Sequence, residues 1–299
     1  MVGLVLRATE QSRESAEFAV ELDSTEPYLN DHRPGGYPLF GTVMGLELMA
    51  RSVAKIAGCP PSTLTNVAHL LVREPIIVRT ASTTAFVRVV RSYLKSGETF
   101  QCEVVTRGAT VVPHFSATLR SAMPTSHTPA VSVPTVDSPL PVQASDVYAL
   151  FFHGSTFQVI QRAGLVHHDV VAEVASRLPA LTSDPHDTNV LAPQLIEACL
   201  QTAGLLEIAT RSRMMIPSRI DSIKFFVDHA SVPRGLFTRA RRSITHDGAD
   251  AVDIDVFDLD GACWLTVCGY ETLPLPFPSD STAIGNLRNS FHRETWSDK

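Results

Sequence analysis

The stretch LAPQLIEACLQTAGLLEIAT, residues 191–210, has the length and apolar spacing of a long helix that is buried over most of its surface. Pro193 fits its first turn, because the first backbone N–H groups of a helix have no partner within the helix. The first half of the chain holds a second helix of this kind over residues 41–58, which Gly58 ends. Each of these two apolar helices needs a surface that covers it.

Segments with alternating polarity and many β-branched residues surround each helix, and they are typical of antiparallel strands. In the first half they lie at residues 16–23, 69–74, 75–80, 84–93, 99–108 and 112–121. In the second half they lie at residues 218–229, 235–246, 250–261 and 263–275, while FQVIQRAGLV at 157–166 is predicted to be helical. A lone apolar helix is buried most simply by an antiparallel sheet that curls around it. The pattern by itself predicts an α+β fold with an internal duplication, and the fold that this arrangement describes is a hotdog unit in each half, a double hotdog.

A stretch rich in proline, serine and threonine divides the chain, SAMPTSHTPAVSVPTVDSPLPVQAS at residues 121–145. It has no sustained period, which is typical of a linker. We expect an N-terminal unit over residues 1–120 and a C-terminal unit over residues 146–299.

The formal net charge is −6 and the basic residues are scattered, which argues against a nucleic-acid partner. The densest basic cluster consists of Arg239, Arg241 and Arg242. It is expected to be a solvated strand face, with a contact for an acidic carrier protein as the alternative.

The cysteines bear on the compartment. Five cysteines occur without the spacing of a zinc site or a disulfide framework, which favours a reducing compartment. Residues 1–18 hold no continuous apolar region, so no signal peptide is expected. No apolar run reaches the ~18 residues that a membrane span needs. We therefore expect a cytoplasmic protein.

His32 lies in a polar, turn-rich loop directly before the helix at 41–58. The N-terminus of a helix offers unpaired N–H donors and positive partial charge. A histidine beside it could remove a proton α to a carbonyl while the donors stabilise the oxyanion. From this segment alone, a loop histidine without a chemical role is the alternative.

Glu197 is a charged residue in the apolar stretch of the second helix. Gln201 lies one turn further along the same face and can hydrogen-bond to it. Partial burial is expected to raise the pKa of Glu197, which suits a general acid. A solvated glutamate on the outer helix face is the alternative, and Glu207 is expected to be such a residue.

Together these segments resemble the motifs of polyketide synthase dehydratase domains. DHRPGGYPLFGT, residues 31–42, is similar to the family motif HxxxGxxxxP, with His32 and Gly36 in register. Gly41 stands where the motif has proline.

FFHGSTFQ, residues 151–158, resembles the second family motif, GYxYGPxF. Gly154 and Phe157 match it, whereas His153 and Ser155 replace tyrosine and proline.

LAPQLIEACLQTAG resembles the third motif, PxLLDxxLQ, with Glu197 at the aspartate position and Gln201 at the glutamine. MIPSRI is similar to the LPxxW segment, with Pro217 kept and Ile220 at the tryptophan position. These motif segments resemble those of iterative and polyunsaturated-fatty-acid-like synthases more closely than those of modular synthases.

The resemblance implies a dehydratase that acts on a 3-hydroxyacyl thioester. His32 would abstract the α proton, and Glu197, oriented by Gln201, would protonate the departing β-hydroxyl. Gly36 and the donors near Gly41 would hold the thioester oxygen.

The resemblance also implies an apolar tunnel between the two long helices for the acyl chain. Phe40, Gly154, Phe157 and Pro217 would contact the substrate, and His153 would be a supporting residue near the site. The partner implied is an acyl carrier protein whose phosphopantetheine bears the acyl chain. The family suggests a homodimer, and no metal or organic cofactor is implied.

Two other functions fit the same residues. Related double hotdogs are cyclases of the oxa-Michael or aldol type, and a histidine–carboxylate pair can serve them too. A non-catalytic scaffold that binds acyl chains is the other alternative, but it has no need of both His32 and Glu197.

Overall fold

The computed structural model describes residues 3–58, 63–94, 97–121, 140–226, 235–276 and 279–292. The helices are α1 (Pro27–Asn30), α2 (Thr42–Ala57), α3 (Ala144–Tyr148), α4 (Pro193–Arg211) and α5 (Ser281–Ser290). The strands are β1 (Arg7–Gln11), β2 (Ser15–Asp23), β3 (Leu39–Phe40), β4 (Leu64–Val72), β5 (Ile76–Ile77), β6 (Ser82–Leu94), β7 (Gly97–Arg107), β8 (Val111–Ser121), β9 (Val142–Gln143), β10 (Ile160–Val166), β11 (Asp169–Val174), β12 (Met215–Phe225), β13 (Phe237–Ile244), β14 (Asp250–Phe257) and β15 (Cys263–Pro274). Among these residues, no helix combines the length and the apolar character that crossing a membrane requires.

The two long helices are where the sequence predicts them. Gly41 is the N-cap of α2, and Gly58 ends it in the left-handed region at φ 62°. Pro193 lies in the first turn of α4. α2 packs on β6, β7 and β8, α4 packs on β10, β11, β13 and β14, and the two helices also contact each other.

The strands of the two halves form one antiparallel sheet. Its thirteen strands in the described residues follow the order β1-β2-β6-β7-β8-β4-β12-β15-β14-β13-β11-β10-β9. The halves meet at β4 and β12, where Val67 pairs with Ile223 and Leu70 with Ile220. The predicted α+β double hotdog is confirmed, and its two half-sheets are joined edge to edge.

Buried Glu47 of α2 also joins the halves. Its side chain is fully buried, and its two oxygens accept the N–H groups of Val190 and Leu191, just before α4, at 2.8 and 2.9 Å. Arg51 donates to Glu47 at 2.7 Å and to Asp187 at 2.6 Å, so the carboxylate charge is paired.

Two more carboxylates of the first half bind backbone N–H groups of the second. Glu26 accepts from Ser183 at 2.9 Å. Asp31 accepts from Thr156 at 2.8 Å and therefore caps the 3₁₀ turn at Ser155–Phe157. Since each N–H is paired with a charged acceptor, these contacts are among the stronger hydrogen bonds in a protein.

Two expectations from the sequence are wrong. Residues 157–166 are not helical, because 160–166 form β10, which pairs with β11 in the sheet. Glu207 is not solvated: it is 3% exposed and accepts from Arg213 and Arg242. Glu207 can be buried on α4 because Arg213 and Arg242 pair with its carboxylate, which offsets the cost of removing the charge from water.

Two further expectations concern the basic cluster and the linker. Arg239 and Arg241 lie on β13 and are paired with Asp255, so their charges are engaged within the sheet. Residues 122–139 of the predicted linker, like Cys59, lie outside the described residues.

Candidate active site

The loop after α1 fixes the orientation of the His32 ring. The His32 carbonyl accepts the Leu39 N–H at 2.9 Å, and His32 Nδ1 lies 2.8 Å from the Leu39 carbonyl oxygen. A carbonyl oxygen can only accept, so Nδ1 carries the proton and Nε2 keeps its lone pair. His32 is therefore held as the tautomer that a general base requires.

Burial sets the protonation of His32. Burial, with a smaller contribution from nearby His153, lowers the pKa of His32 from 6.5 to about 4, against the weaker opposing effects of Glu197 and the Leu39 carbonyl. At neutral pH the imidazole is uncharged and can accept a proton.

The closeness of His32 explains why glycine stands at position 41, where the family motif has proline. A Cβ at position 41 would lie 3.1 Å from His32 Cε1 and 3.3 Å from Nδ1. The backbone of Gly41 has φ −81°, which proline also adopts. The closeness of the imidazole, rather than the backbone angle, therefore favours glycine here.

Glu197 is held by a chain of hydrogen bonds on α4 and α3. Gln201 Nε2 donates to Glu197 Oε1 at 3.0 Å and to the Phe157 carbonyl at 2.8 Å. Tyr148 donates its hydroxyl to Gln201 Oε1 at 2.9 Å and accepts the Ile160 N–H at 2.8 Å. Gln201 thus orients the carboxylate, as its spacing predicts.

His153 joins the histidine side of the site to the carboxylate. Its Nε2 lies 3.2 Å from Glu197 Oε1, its ring centroid is 5.4 Å from that of His32, and the backbones of the two histidines form an isolated bridge. Its ring stacks on Phe152 at 4.7 Å. In the site, His153 therefore lies between His32 on one side and Glu197 on the other.

The expected rise in the pKa of Glu197 is contradicted. Burial alone raises the pKa of this carboxyl, but the hydrogen bond and charge of His153, with smaller contributions from His32 and Gln201, outweigh it and hold the pKa below 4.5. Glu197 is 12% exposed and ionised at neutral pH in the substrate-free site. The sequence could not show this, because His153 lies 44 positions away along the chain.

One apolar cavity of about 210 Å³ reaches these groups. Its wall includes most of the residues proposed from the sequence, namely His32, Phe40, Gly41, His153, Phe157, Glu197, Gln201 and Pro217. Further apolar side chains continue it along α4 and β12, among them Leu200, Ile208 and Met215. The cavity therefore has the lining that an acyl chain would need.

Gly36 and Gly154, which the resemblance implies as site residues, are not among the residues that line the cavity. Gly36 is exposed, and its N–H donates to the Arg33 carbonyl at 3.1 Å, so it is engaged within its own turn. Gly154 packs on Asp31, since a Cβ there would lie 2.6 Å from the Asp31 carboxylate, and its N–H donates to the Asp31 carbonyl. Gly154 thus serves the junction of the two loops.

Sequence reasoning missed Tyr148 and the role of Asp31. Tyr148 stands 53 positions before Gln201, and Asp31 binds a turn 125 positions later. Asp31 stands in the first motif segment and Tyr148 three residues before the second, but no local pattern shows which distant group they contact.

A double hotdog whose apolar cavity is bordered by a neutral histidine and a hydrogen-bonded carboxylate has the groups that general acid–base chemistry uses. A family model, the polyketide synthase dehydratase N-terminal domain, matches residues 126–280, more than half of the chain. The protein belongs to the polyketide synthase dehydratase family.

Solved structures share the fold over nearly the whole chain. A trans-AT PKS dehydratase domain from Brevibacillus brevis is 20% identical, with 90% of this chain and 96% of that chain covered and a TM-score of 0.73. The dehydratase domain of the polyketide PpsC from Mycobacterium tuberculosis is 20% identical, with 90% and 97% covered and a TM-score of 0.71. A pyran synthase domain from module nine of the sorangicin pathway is 22% identical, with 91% and 98% covered and a TM-score of 0.70. No curated protein sequence matches the chain.

Proposed function

We propose that the protein removes water from a 3-hydroxyacyl thioester on an acyl carrier protein to give the 2-enoyl thioester. The observation that carries this proposal is the placement of neutral His32, with Nε2 unprotonated, and of Glu197 on the wall of one apolar cavity. A base and a carboxyl group are the two groups that an elimination of water requires.

His32 acts on the carbon side of the reaction. Its Nε2 takes the proton from Cα, and the electrons of that C–H bond form the new double bond. The thioester carbonyl makes this proton acidic, so the base needs only moderate strength. Glu197 acts on the oxygen side: its carboxylate, ionised in the free site, must first gain a proton, which it delivers as the C–O bond breaks.

The N-terminus of α2 supplies donors for the thioester oxygen. Thr42 and Val43 begin this helix, border the cavity and belong to its first turn, whose N–H groups have no acceptors within the helix. A developing enolate oxygen there would meet N–H donors and positive partial charge. We assign the oxyanion site to this turn and leave Gly36 out of it.

The cyclase alternative has one observation in its favour. The chain shares its fold with a pyran synthase domain, and a histidine–carboxylate pair can also add a hydroxyl across a new double bond. Dehydration remains the first proposal because it uses both groups without requiring a second hydroxyl on the substrate.

The acyl carrier protein is the partner we infer, with its phosphopantetheine arm reaching into the cavity. A homodimer and a cytoplasmic location complete the proposal. The described cysteines, Cys102, Cys199, Cys263 and Cys268, are all free, which supports a reducing compartment.

The test is turnover of a series of 3-hydroxyacyl thioesters, followed by mass spectrometry. We expect the wild type to release one water, and His32→Ala and Glu197→Gln each to lose about 10²–10⁴-fold in kcat, the range for a general acid or base. Glu103→Gln, a partly exposed carboxylate on β7, is the matched control and should keep full activity.

Each other outcome points to a different function. Undiminished turnover in His32→Ala or Glu197→Gln would contradict the mechanism. With a member of the series that carries a second, distal hydroxyl, a product that is isomeric with the enoyl thioester but lacks the double bond would identify a cyclase. Tight acyl binding without turnover in the wild type would identify a scaffold.

A further inference from the structure

His153 is a buried, titratable side chain that the proposed elimination does not yet use. It is 9% exposed, its Nε2 is within hydrogen-bond distance of Glu197 Oε1, and its Nδ1 is buried without a hydrogen-bond partner among the described residues. An ionised carboxylate can only accept, so the 3.2 Å contact requires a proton on Nε2. The geometry thus places the Nε2–H of His153 against the carboxylate of Glu197.

The surroundings of His153 isolate this proton from other titratable groups. Glu197 on α4 and His32 on the facing loop contact it, and the rings of Phe152 and Phe157 cover its sides. Tyr148 is near the carboxylate, but burial raises its pKa, so it stays neutral.

We propose that His153 is the proton partner of Glu197: it holds the acid proton in the resting site and passes it to the carboxyl when a β-hydroxyl arrives. This inference rests on the proposed function and deepens it. The tyrosine that the family motif has at this position could donate a hydrogen bond, but a phenol with a pKa of about 10 does not exchange protons readily at neutral pH.

The proton transfers of the whole elimination balance. His153 starts this step as the imidazolium, with a proton on each ring nitrogen; it transfers its Nε2 proton to Glu197 and becomes neutral. The carboxyl then gives a proton to the leaving oxygen, which takes the electron pair of the C–O bond. His32 Nε2 gains the Cα proton, and the C–H electrons form the double bond. When water leaves, the proton on His32 returns to the pair of His153 and Glu197, and the site is reset.

The resting protein offers the first test, the carboxyl band of Glu197 in infrared spectra of protein labelled with ¹³C-glutamate. Glu197→Gln identifies the band by subtraction. We expect an ionised carboxylate in the wild type at neutral pH. In His153→Phe the burial remains while the stabilising partner is lost, so the pKa of Glu197 should rise and a protonated-carboxyl band should appear.

Turnover supplies the second test, with His153→Gln as the matched variant. Its amide N–H can still donate to Glu197 but cannot pass on a proton. We expect kcat to fall about 10²-fold with KM nearly unchanged, since proton transfer by a positioned side chain contributes 10²–10⁴-fold. His153→Gln with wild-type kcat and pH profile, or an unshifted Glu197 band in His153→Phe, would overturn the proposal.

The two tests separate this inference from the proposed function. The infrared band reports on the resting protein, whatever reaction it catalyses. A wild type that does not dehydrate therefore counts against the proposed function, while the band shift still decides whether His153 and Glu197 share a proton.

Discussion

His32 combines a fixed tautomer with a depressed pKa, and together these determine the pH range over which it can act as a base. The carbonyl of Leu39 occupies Nδ1, so protonation must occur at Nε2, the atom that would take the substrate proton. Burial makes that protonation unfavourable until the pH is far below the ordinary histidine range.

The acid limb of kcat/KM should therefore lie near pH 4. The pKa of His32 is lowered from 6.5 to about 4, so the base is neutral above pH 4 and is lost only as the pH falls through that value. The profile of kcat/KM from pH 3.5 to 8 reports the free enzyme and measures this directly. Circular dichroism at each pH serves as the control for unfolding, and a limb near 6.5 in folded protein would refute the assignment.

The chemistry-bearing residues could be found in the sequence more readily than their protonation. His32, Glu197 and Gln201 stand out because each is unusual for its segment, and the structure brings all three to one cavity. The sign of the pKa shift at Glu197 could not be found, since it depends on His153 in a different loop. Burial is visible in a local pattern, whereas a partner across the fold is not.

At the level of elements, α2 is tied to the second half by one side chain. Glu47 is fully buried and pairs with Arg51 while it accepts two backbone N–H groups from the segment before α4. Removing it would leave an arginine with one partner fewer and two backbone donors without acceptors.

Glu47→Ala should lower the free energy of unfolding by about 3–5 kcal/mol, the usual cost of breaking a buried ion pair by removing one partner. Urea unfolding measures it. Glu103→Ala, whose partly exposed carboxylate lies 3.7 Å from Arg88, should change the same quantity by no more than about 0.5 kcal/mol. Equal values for the two variants would show that the Glu47 contacts contribute nothing.

The long helices and long strands were predictable because their periods repeat several times. α2 and α4 each run for four turns or more, and β6 to β8 alternate over 11 residues or more. The sequence prediction is wrong at β10 because a stretch of seven residues with several apolar side chains fits both the helical and the strand period. β1 was missed since all five of its residues are exposed and carry no apolar alternation.

On the scale of the whole molecule, the two hotdog units behave as one structural body. They share a sheet through β4 and β12, and the carboxylates of Glu26, Asp31 and Glu47 bind the backbone of the second half. Both units contribute to the wall of the cavity, because His32 comes from the first and Glu197 from the second.

We therefore expect one cooperative unfolding transition. Both tryptophans, at positions 264 and 296, belong to the second half, whereas far-UV circular dichroism reports on both halves. In urea the two signals should give the same midpoint, which is the test of two-state unfolding. A tryptophan transition displaced from the circular dichroism transition would show that the halves unfold separately.

The position of β4 also has a consequence for the order of events during synthesis. β8 covers one side of β4 once residue 121 has been made, but its other neighbour, β12, begins at residue 215, 94 residues later, which takes about 5–20 s at cellular translation rates. For that interval β4 is an exposed strand edge with unpaired backbone groups, the kind of edge to which other chains add. The nascent first half thus presents a strand edge that the finished fold covers.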